Sequence, residues 1–281
     1  MPQARPDPTT GDDTMKLRVD GFDVYAYTGS RPFDASLPTI VFVHGGALDH
    51  SVWALQSRYF AHHGHNVFAV DLPAHGQSGG QALASVEAIA QWIVHVLDAF
   101  SGMGAGKAML VGHSLGALAV LEAAARFPER VSRLAMIGPS VPMPVSDALL
   151  AAAEGNDHIA YEWITQWSFS AGHQLGSNQQ PGMWMTGGAL RLMERARPNV
   201  LHTDLLACQQ YATGLEAAAL VTCPVLMILG QRDLMAPPKT AQPLAKAIPH
   251  ARVVTLPECG HSLMAEAPDA VLDALRAFVR P

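Results

Sequence analysis

The chain has 281 residues, of which 49% are hydrophobic and 15% are charged, and its formal net charge at pH 7 is −6. This length suits one large α/β domain with an insertion, or two small domains. The negative charge disfavours nucleic acid and anionic membranes as partners, since both bind clustered Lys and Arg, and no apolar run approaches the roughly 18 residues of a membrane span, so we expect a soluble protein.

The first residues and the cysteines indicate where the protein works. Residues 1–14 are polar, rich in Pro and Asp and without the pattern of a signal peptide, so we expect a disordered tail, with Met15 as an alternative natural start. The cysteines Cys208, Cys223 and Cys259 form no CxxC pair, and their odd number argues against a disulfide framework. A reducing, cytoplasmic setting fits these features best.

Eight short runs of β-forming residues recur along the chain and predict strands. The last six are continuously apolar, which is typical of strands buried on both faces of a parallel sheet. The predicted strands cover residues 16–19, 23–27, 39–43, 66–70, 108–111, 133–137, 225–229 and 252–256.

Helical segments separate most of these strands, and this alternation predicts a mostly parallel, doubly wound eight-stranded α/β sheet with right-handed crossovers. The crossover helices are predicted at residues 51–63, 86–100, 115–127, 238–247 and 268–279.

The alternation stops for almost ninety residues after the sixth predicted strand. This segment is helical in character, with helices predicted at residues 148–154, 158–169, 189–195 and 201–211. We therefore expect a core domain formed by residues 15–139 and 216–281, with residues 140–215 as a helical cap over the sheet.

Ser114 follows an apolar predicted strand and precedes a predicted helix, within the sequence Gly112, His113, Ser114, Leu115, Gly116. The pattern Gly, any, Ser, any, Gly is typical of a tight, strained turn that exposes a serine oxygen. Its glycines are needed where a larger side chain would clash between strand and helix. The pattern predicts a nucleophilic serine.

A serine hydroxyl needs a base to take its proton, and the base needs a carboxylate to hold its tautomer. His261 follows the last predicted strand and Asp233 follows the strand before it. Parallel strands end at one edge of a sheet, so both residues should lie near Ser114. We predict Ser114, Asp233 and His261 as a catalytic triad; Asp71 is an alternative acid by residue type, but its loop favours a structural role.

The oxyanion formed during attack requires hydrogen-bond donors. The amide of Leu115 is one candidate, because it lies in the first turn of a helix and has no helical partner. The third predicted strand ends in a glycine turn that can aim a second amide at the same point. We predict Gly46 as that donor, with Ala47 as the alternative.

With these residues the chain resembles the α/β-hydrolase superfamily, in its capped esterase and lipase-like branch. The resemblance spans roughly residues 16–281 and includes the turn at His44 and Gly45 and the segment 71–78, similar to the family's DLPGHGxS loop. Ala74 stands where that loop has glycine, which is tolerated if its φ is negative. Ser114 disfavours the branches with an aspartate nucleophile, the haloalkane dehalogenases and epoxide hydrolases.

Other motifs give weaker signals. The histidines His62, His63 and His65 have metal-binding residue types but no carboxylate or cysteine completes a ligand set, and the glycines before Lys107 do not match a phosphate-binding loop. We therefore predict neither a metal nor a cofactor.

In the cap, aromatic and methionine side chains suit either a packed cap core or an apolar pocket wall. We predict substrate contacts from Trp163, Trp167, Trp184 and Met185.

The sequence as a whole predicts a serine hydrolase that cleaves a small to medium, largely apolar or aromatic carboxylic ester through an acyl-enzyme. A carbon–carbon bond hydrolase of aromatic degradation is an alternative, although such relatives usually follow the nucleophile with Met and two Gly, where this chain has Leu115, Gly116 and Ala117. Amidase, lactonase, thioesterase and perhydrolase activities use the same triad. A ligand receptor on the hydrolase scaffold, which retains its ligand instead of turning it over, is the alternative from another class.

Overall fold

The structure, a computed structural model, describes residues 14–104, 106–177 and 182–280. The predicted tail therefore lies, apart from Thr14, outside the described residues. The eight strands are β1 (Thr14–Val19), β2 (Phe22–Tyr27), β3 (Thr39–Val43), β4 (Asn66–Val70), β5 (Ala108–His113), β6 (Val131–Ile137), β7 (Val225–Gly230) and β8 (Arg252–Leu256).

The strands form one sheet in the order β1-β2-β4-β3-β5-β6-β7-β8. The β1/β2 and β2/β4 pairs are antiparallel, and the remaining pairs, from β4/β3 to β7/β8, are parallel. The predicted mostly parallel, doubly wound sheet is confirmed. Because β3, β5, β6, β7 and β8 run in one direction, the loops that follow them meet at one edge of the sheet.

Twelve α-helices accompany the strands in the described part of the chain. They are α1 (Ala54–Ala61), α2 (Val86–Ser101), α3 (Leu115–Arg126), α4 (Asp147–Glu154), α5 (His158–Ser168), α6 (Ala171–Gln174), α7 (Met185–Met193), α8 (Val200–Gln210), α9 (Gly214–Leu220), α10 (Gln242–Ala247), α11 (Leu263–Glu266) and α12 (Pro268–Val279).

Both faces of the sheet are covered, as the alternation along β3 shows. Val41 and Val43 belong to one apolar cluster, which contains residues of α2, α3 and α9. Ile40 and Phe42 belong to a second cluster, with residues of α1 and α12. Successive strand residues point to opposite faces. A strand such as β3, which is apolar from Ile40 to Val43, must therefore be covered on both.

The edge strand β8 departs from this pattern. Its residues are largely exposed except Leu256, although the apolar sequence predicts a strand buried on both faces. The reason is its position, because β8 pairs with β7 alone. A central strand, by contrast, has neighbours on both sides.

Helices α4 to α9 form the insertion between β6 and β7. Leu149, Ile164, Met193 and Leu201 form a separate apolar cluster together with Ala47 from the core. Helix α9 is an addition to the predicted helices, and its Ala217 and Ala218 pack in the cluster that contains α3. The last part of the insertion thus extends the core layer.

Further helices differ from the predicted bounds. The predicted helix 238–247 is a 3-10 helix, Pro238–Ala241, followed by α10. Helix α7 begins at Met185, earlier than the predicted start at residue 189. The predicted helix 51–63 is a short 3-10 helix, His50–Trp53, followed by α1. Within the described residues, no helix is both long enough and apolar enough to cross a membrane.

Candidate active site

Ser114 lies between the last residue of β5 and the first residue of α3. Its φ of 54° and ψ of −119° place it in the left-handed half of the backbone map, a strained conformation for a non-glycine residue that the surrounding structure must hold. A side chain at Gly112 would collide with the carbonyl of Gly116, and one at Gly116 would collide with the carbonyl of Val43. Both glycines are therefore required for this turn.

His261 and Asp233 form a buried pair. The Nδ1–H of His261 donates to Oδ2 of Asp233 at 2.7 Å, and Oδ1 of Asp233 accepts the amides of Met235 and Ala236 at 2.9 and 2.7 Å. Burial would raise the pKa of Asp233, but the charge and hydrogen bond of His261, with these amides, hold it below its usual value. Asp233 is thus an anion that fixes the proton of His261 on Nδ1.

The second ring nitrogen of His261 differs from Nδ1 in its surroundings. Nε2 is buried and has no hydrogen-bond partner among the described residues. The backbone of His261 is held in place, because its amide donates to the carbonyl of Ser168 at 2.8 Å. Ser114 and His261 line the same cavity.

His113 joins the nucleophile turn to the histidine loop. Its Nε2–H donates to the carbonyl oxygen of His261 at 2.9 Å. Burial, reinforced by the neighbouring His261, lowers the pKa of His113 to about 3. A neutral His113 therefore links the residue before Ser114 to the backbone of His261.

The turn after β3 lies against Ser114. A Cβ atom placed on Gly45 would lie 3.2 Å from the Cβ of Ser114. The amide of Ala47 donates to Oδ2 of Asp204 at 2.8 Å, so it is engaged. In the described structure, the amides of Gly46 and Leu115 donate to no backbone carbonyl or side chain.

Asp204, on α8, also connects the insertion to the loop after β4 through a second buried contact, with His75. His75 donates from Nε2 to Oδ2 of Asp204 at 2.8 Å and from Nδ1 to the carbonyl of Pro73 at 3.0 Å. Both partners are acceptors, so both ring nitrogens of His75 carry protons. Burial alone would lower the pKa of His75, but the carboxylate of Asp204 outweighs it and raises that pKa. The two side chains form a buried ion pair.

A cavity of about 260 Å³, which we call the central cavity, lies over Ser114 and beneath the insertion. Ser114, His261, Gly46, Leu115 and Asp204 all line it. Its walls are mainly apolar and come from the insertion and the loop after β7; they include Met143, Leu149, Ile164, Met193, Leu205 and Met235.

The four predicted substrate contacts in the cap occupy different places. Trp167 lines the central cavity, and Trp163 stacks on it with ring centroids 6.1 Å apart. Trp184 is 71% exposed, whereas Met185 is buried, and neither is among the cavity residues. Among these four residues, Trp167 alone lines the cavity.

One cluster has the residue types of a metal site. The side chains of Asp49, His50 and Asp71 offer ligand atoms within 4.8 Å of one another. Asp71 already accepts the amides of His50 and Gln77 and the ring Nδ1–H of His50, and Asp49 accepts from Ser51. These contacts account for the cluster as a loop-stabilising network and agree with a structural role for Asp71.

The conformation of Ala74 differs from the expected one. An alanine at the position of the family glycine is expected to be tolerated if its φ is negative. In the structure, φ of Ala74 is +67°. The loop thus keeps its glycine-like conformation and holds an alanine in a strained state.

Asp204 and Thr165 are cavity residues that the sequence reasoning missed. Asp204 follows Leu201 and precedes Leu205 and Cys208 at spacings that place all four on one helix face. A lone carboxylate on such an apolar face is a signal of burial with a partner. Thr165 carries no comparable signal, since threonine is common on either face.

Comparison with known proteins agrees with this architecture. The model of the alpha/beta hydrolase fold family matches residues 38–268. The chain is 27% identical over 257 residues to a pimeloyl-[acyl-carrier protein] methyl ester esterase of Nitrosomonas europaea, covering 86% of this chain and 95% of that protein. It is 23% identical over 245 residues to an (E)-2-((N-methylformamido)methylene)succinate hydrolase of Acinetobacter baylyi, covering 85% and 89%.

Among solved structures, an enol-lactonase from Burkholderia xenovorans superposes with a TM-score of 0.82 at 20% identity, covering 94% of this chain and 99% of that chain. At this identity the likeness concerns the fold. The family match covers most of the sheet, the Ser114 turn, Asp233 and His261. The chain belongs to the alpha/beta hydrolase fold family.

Proposed function

We propose that the protein is a serine hydrolase that cleaves carboxylic esters through an acyl-enzyme, with Ser114, His261 and Asp233 as its triad. The observation that carries this proposal is the juxtaposition in one cavity of a serine on a strained strand-to-helix turn and a histidine whose Nδ1–H is bonded to a buried carboxylate. Esterases among the relatives support the choice of an ester bond.

In the first half of the reaction, Oγ of Ser114 attacks the ester carbonyl carbon and its proton passes to Nε2 of His261. Asp233 stabilises the imidazolium that forms. When the tetrahedral intermediate collapses, the bond to the alcohol breaks, and the leaving oxygen takes the proton from Nε2.

The negative oxygen of the intermediate is bound by the amides of Gly46 and Leu115. The amide of Ala47, the alternative to Gly46, already donates to Asp204, and this supports the choice of Gly46. Removal of one such donor costs on the order of a hundredfold to a thousandfold in rate.

In the second half, His261 takes a proton from water while the water oxygen attacks the acyl carbon. The Ser114–acyl bond breaks, the acid is released, and the proton returns to Oγ of Ser114. The apolar walls of the central cavity favour a small to medium acyl or alcohol group of apolar or aromatic character.

The test compares the wild type with Ser114→Ala on a 4-nitrophenyl ester. We expect the variant to lose nearly all turnover, whereas Ser36→Ala, which removes an exposed hydroxyl outside the cavity, retains it. Undiminished turnover in Ser114→Ala refutes the proposal. A single equivalent of nitrophenol followed by no further release indicates a ligand-retaining receptor instead.

A further inference from the structure

The turn after β3 contains two consecutive glycines, and glycine rotates about its backbone bonds more freely than any other residue. Gly45 and Gly46 precede Ala47, whose φ of +52° lies in the left-handed region that residues with a side chain rarely adopt. The proposed oxyanion donor is the amide of Gly46. Contacts on both sides of Gly46 are therefore needed to hold that amide in one direction.

On one side, the peptide unit between Gly45 and Gly46 is held by a buried histidine of the core. Nε2 of His44 accepts the amide of Leu72 at 3.0 Å, so Nδ1 carries the proton and donates to the carbonyl of Gly45 at 2.8 Å. Burial, reinforced by the neighbouring His75, lowers the pKa of His44 to about 4, and the ring is neutral at pH 7. Because the carbonyl and N–H of a planar trans peptide point in opposite directions, this bond also orients the amide of Gly46.

On the other side, the peptide unit between Gly46 and Ala47 is held by the insertion. In the part of the chain that the structure describes, Oδ2 of Asp204 is the only acceptor for the amide of Ala47, at 2.8 Å. Asp204 also packs on Gly46, since a Cβ atom placed there would lie 3.2 Å from the Cβ of Asp204. The same Oδ2 accepts from His75 at 2.8 Å, and this ion pair keeps the carboxylate at the turn.

The backbone of Ala47 indicates that the turn depends on this contact. A strained backbone conformation persists only where the surrounding structure imposes it. The turn's own hydrogen bond, from the amide of Leu48 to the carbonyl of Gly45, is long at 3.3 Å, whereas the bond from Ala47 to Asp204 is short. Without the carboxylate, Ala47 can relax and Gly46 can rotate away from its position.

We propose that Asp204 is a positioning residue for the oxyanion site: through the amide of Ala47 it holds the amide of Gly46 in the direction that binds the oxyanion. This inference rests on the proposed function. Asp204 and Leu205, both on α8, line the central cavity, so one helix forms part of the cavity wall and holds the oxyanion turn. The insertion thus contributes to the chemical step as well as to the choice of substrate.

The test must separate the acceptor for Ala47 from the ion pair, because Asp204→Leu alone would leave the charge of His75 buried and unpaired. Both substitutions are therefore made in a His75→Leu background, since apolar residues can replace a buried ion pair without loss of stability. The double variants are D204L/H75L and D204N/H75L. Leucine and asparagine share a branched shape, but only asparagine offers an oxygen to the amide of Ala47.

We expect kcat/KM for a 4-nitrophenyl ester to be at least about tenfold lower in D204L/H75L than in D204N/H75L, a part of the hundredfold to thousandfold lost when an oxyanion donor is removed. Far-UV circular dichroism establishes that each variant is folded. If D204L/H75L does not fold, D204V/H75L replaces it, because valine also lacks the acceptor.

Inhibition by a matched ketone and alcohol separates a displaced oxyanion donor from a general loosening of the cavity. Oγ of Ser114 adds to the carbonyl carbon of 1,1,1-trifluorooctan-2-one, its proton passes to Nε2 of His261, and the carbonyl oxygen becomes the anion that the amides bind. The alcohol 1,1,1-trifluorooctan-2-ol fills the cavity without forming this adduct. Relative to D204N/H75L, D204L/H75L should weaken inhibition by the ketone by the same factor as kcat/KM, and inhibition by the alcohol by less than about twofold.

Thr203→Val provides a matched control on the same helix. Thr203 is absent from the cavity wall, and its hydroxyl donates to the carbonyl of Asn199 at 2.9 Å. This variant should keep the wild-type kcat/KM and the wild-type inhibition by the ketone.

The inference is overturned if the two double variants have equal kcat/KM, or if inhibition by the ketone and by the alcohol weakens by the same factor. Failure of the underlying function gives a different result. The wild type then neither hydrolyses the ester nor binds the ketone more tightly than the alcohol, or Ser114→Ala hydrolyses the ester as fast as the wild type.

Discussion

The substitution Asp233→Asn changes one atom of the proposed triad and should reverse the tautomer of His261. Oδ1 of Asp233 accepts two backbone amides, from Met235 and Ala236. The side-chain oxygen of asparagine must occupy this position, since a flipped amide would place its NH2 group against two donors. The NH2 group then faces Nδ1 of His261, 2.7 Å away in the wild type.

An NH2 group donates only, so Nδ1 of His261 must become the acceptor and the ring proton must move to Nε2. Nε2 can then no longer take the proton of Ser114. Loss of the working tautomer in a serine triad lowers kcat by about ten thousandfold, which corresponds to about 5.4 kcal/mol of transition-state stabilisation. KM should change little, because Asp233 is not among the cavity residues.

The assay is steady-state hydrolysis of a 4-nitrophenyl ester at pH 7, with far-UV circular dichroism to establish that the variant is folded. Asp157→Asn, at an exposed helix N-cap whose side chain makes no capping bond, is the matched control and should keep the wild-type kcat. A folded Asp233→Asn enzyme with more than a tenth of the wild-type kcat would refute the assigned role of the Asp233–His261 pair.

Three further predictions concern stability, each measured by urea unfolding. Ala74→Gly should stabilise the protein by about 0.5–1 kcal/mol, because glycine relieves the strain at φ +67° despite its greater unfolded-state entropy. The control Ala151→Gly, at an exposed position within a helix, should destabilise the protein by a similar amount. If both variants change the free energy of unfolding in the same direction, this reasoning is contradicted. Asp204→Asn should cost about 3–5 kcal/mol at pH 6, since it leaves the charge of His75 buried and unpaired. That loss should shrink at alkaline pH, because the pKa of His75 is raised in the fold. The stability that the ion pair contributes is present below the pKa of unfolded His75 and disappears as pH rises through the pKa of folded His75. If Asp204→Asn costs less than about 1 kcal/mol at pH 6, the ion pair is refuted. The pKa of His113 is lowered to about 3 in the fold, so between pH 4 and 6 this residue takes up a proton only on unfolding. It should therefore lower the free energy of unfolding by about 1.4 kcal/mol for each unit by which pH falls. His113→Gln should reduce this slope by the same amount, and an unchanged slope would show that His113 is already protonated in the fold.

The sheet and the position of Ser114 follow from short-range patterns in the sequence. Strands such as β3 and β5 are buried on both faces, and such strands appear as unbroken apolar runs. The turn around Ser114 needs Gly112 and Gly116 for steric reasons that act within five residues. Because parallel strands end at one edge, the order of elements also predicts the approach of Asp233 to His261.

The interior of the cavity depends on long-range packing, which the sequence patterns do not encode. The bond between Asp204 and the amide of Ala47 joins residues 157 positions apart, and the orientation of α8 decides whether it forms. Trp184 and Trp167 are alike in residue type, yet one is exposed and the other lines the cavity. The φ of Ala74 is likewise set by the loop as a whole and not by the residue itself.

The most direct test of the central claim is the site of covalent labelling by a fluorophosphonate, which reacts with a serine activated by a neighbouring base. We expect one label per chain, located by peptide mass spectrometry on Ser114, with ester turnover lost in proportion to labelling. A label on another residue, or full turnover by protein labelled on Ser114, would contradict the assignment of Ser114 as the nucleophile.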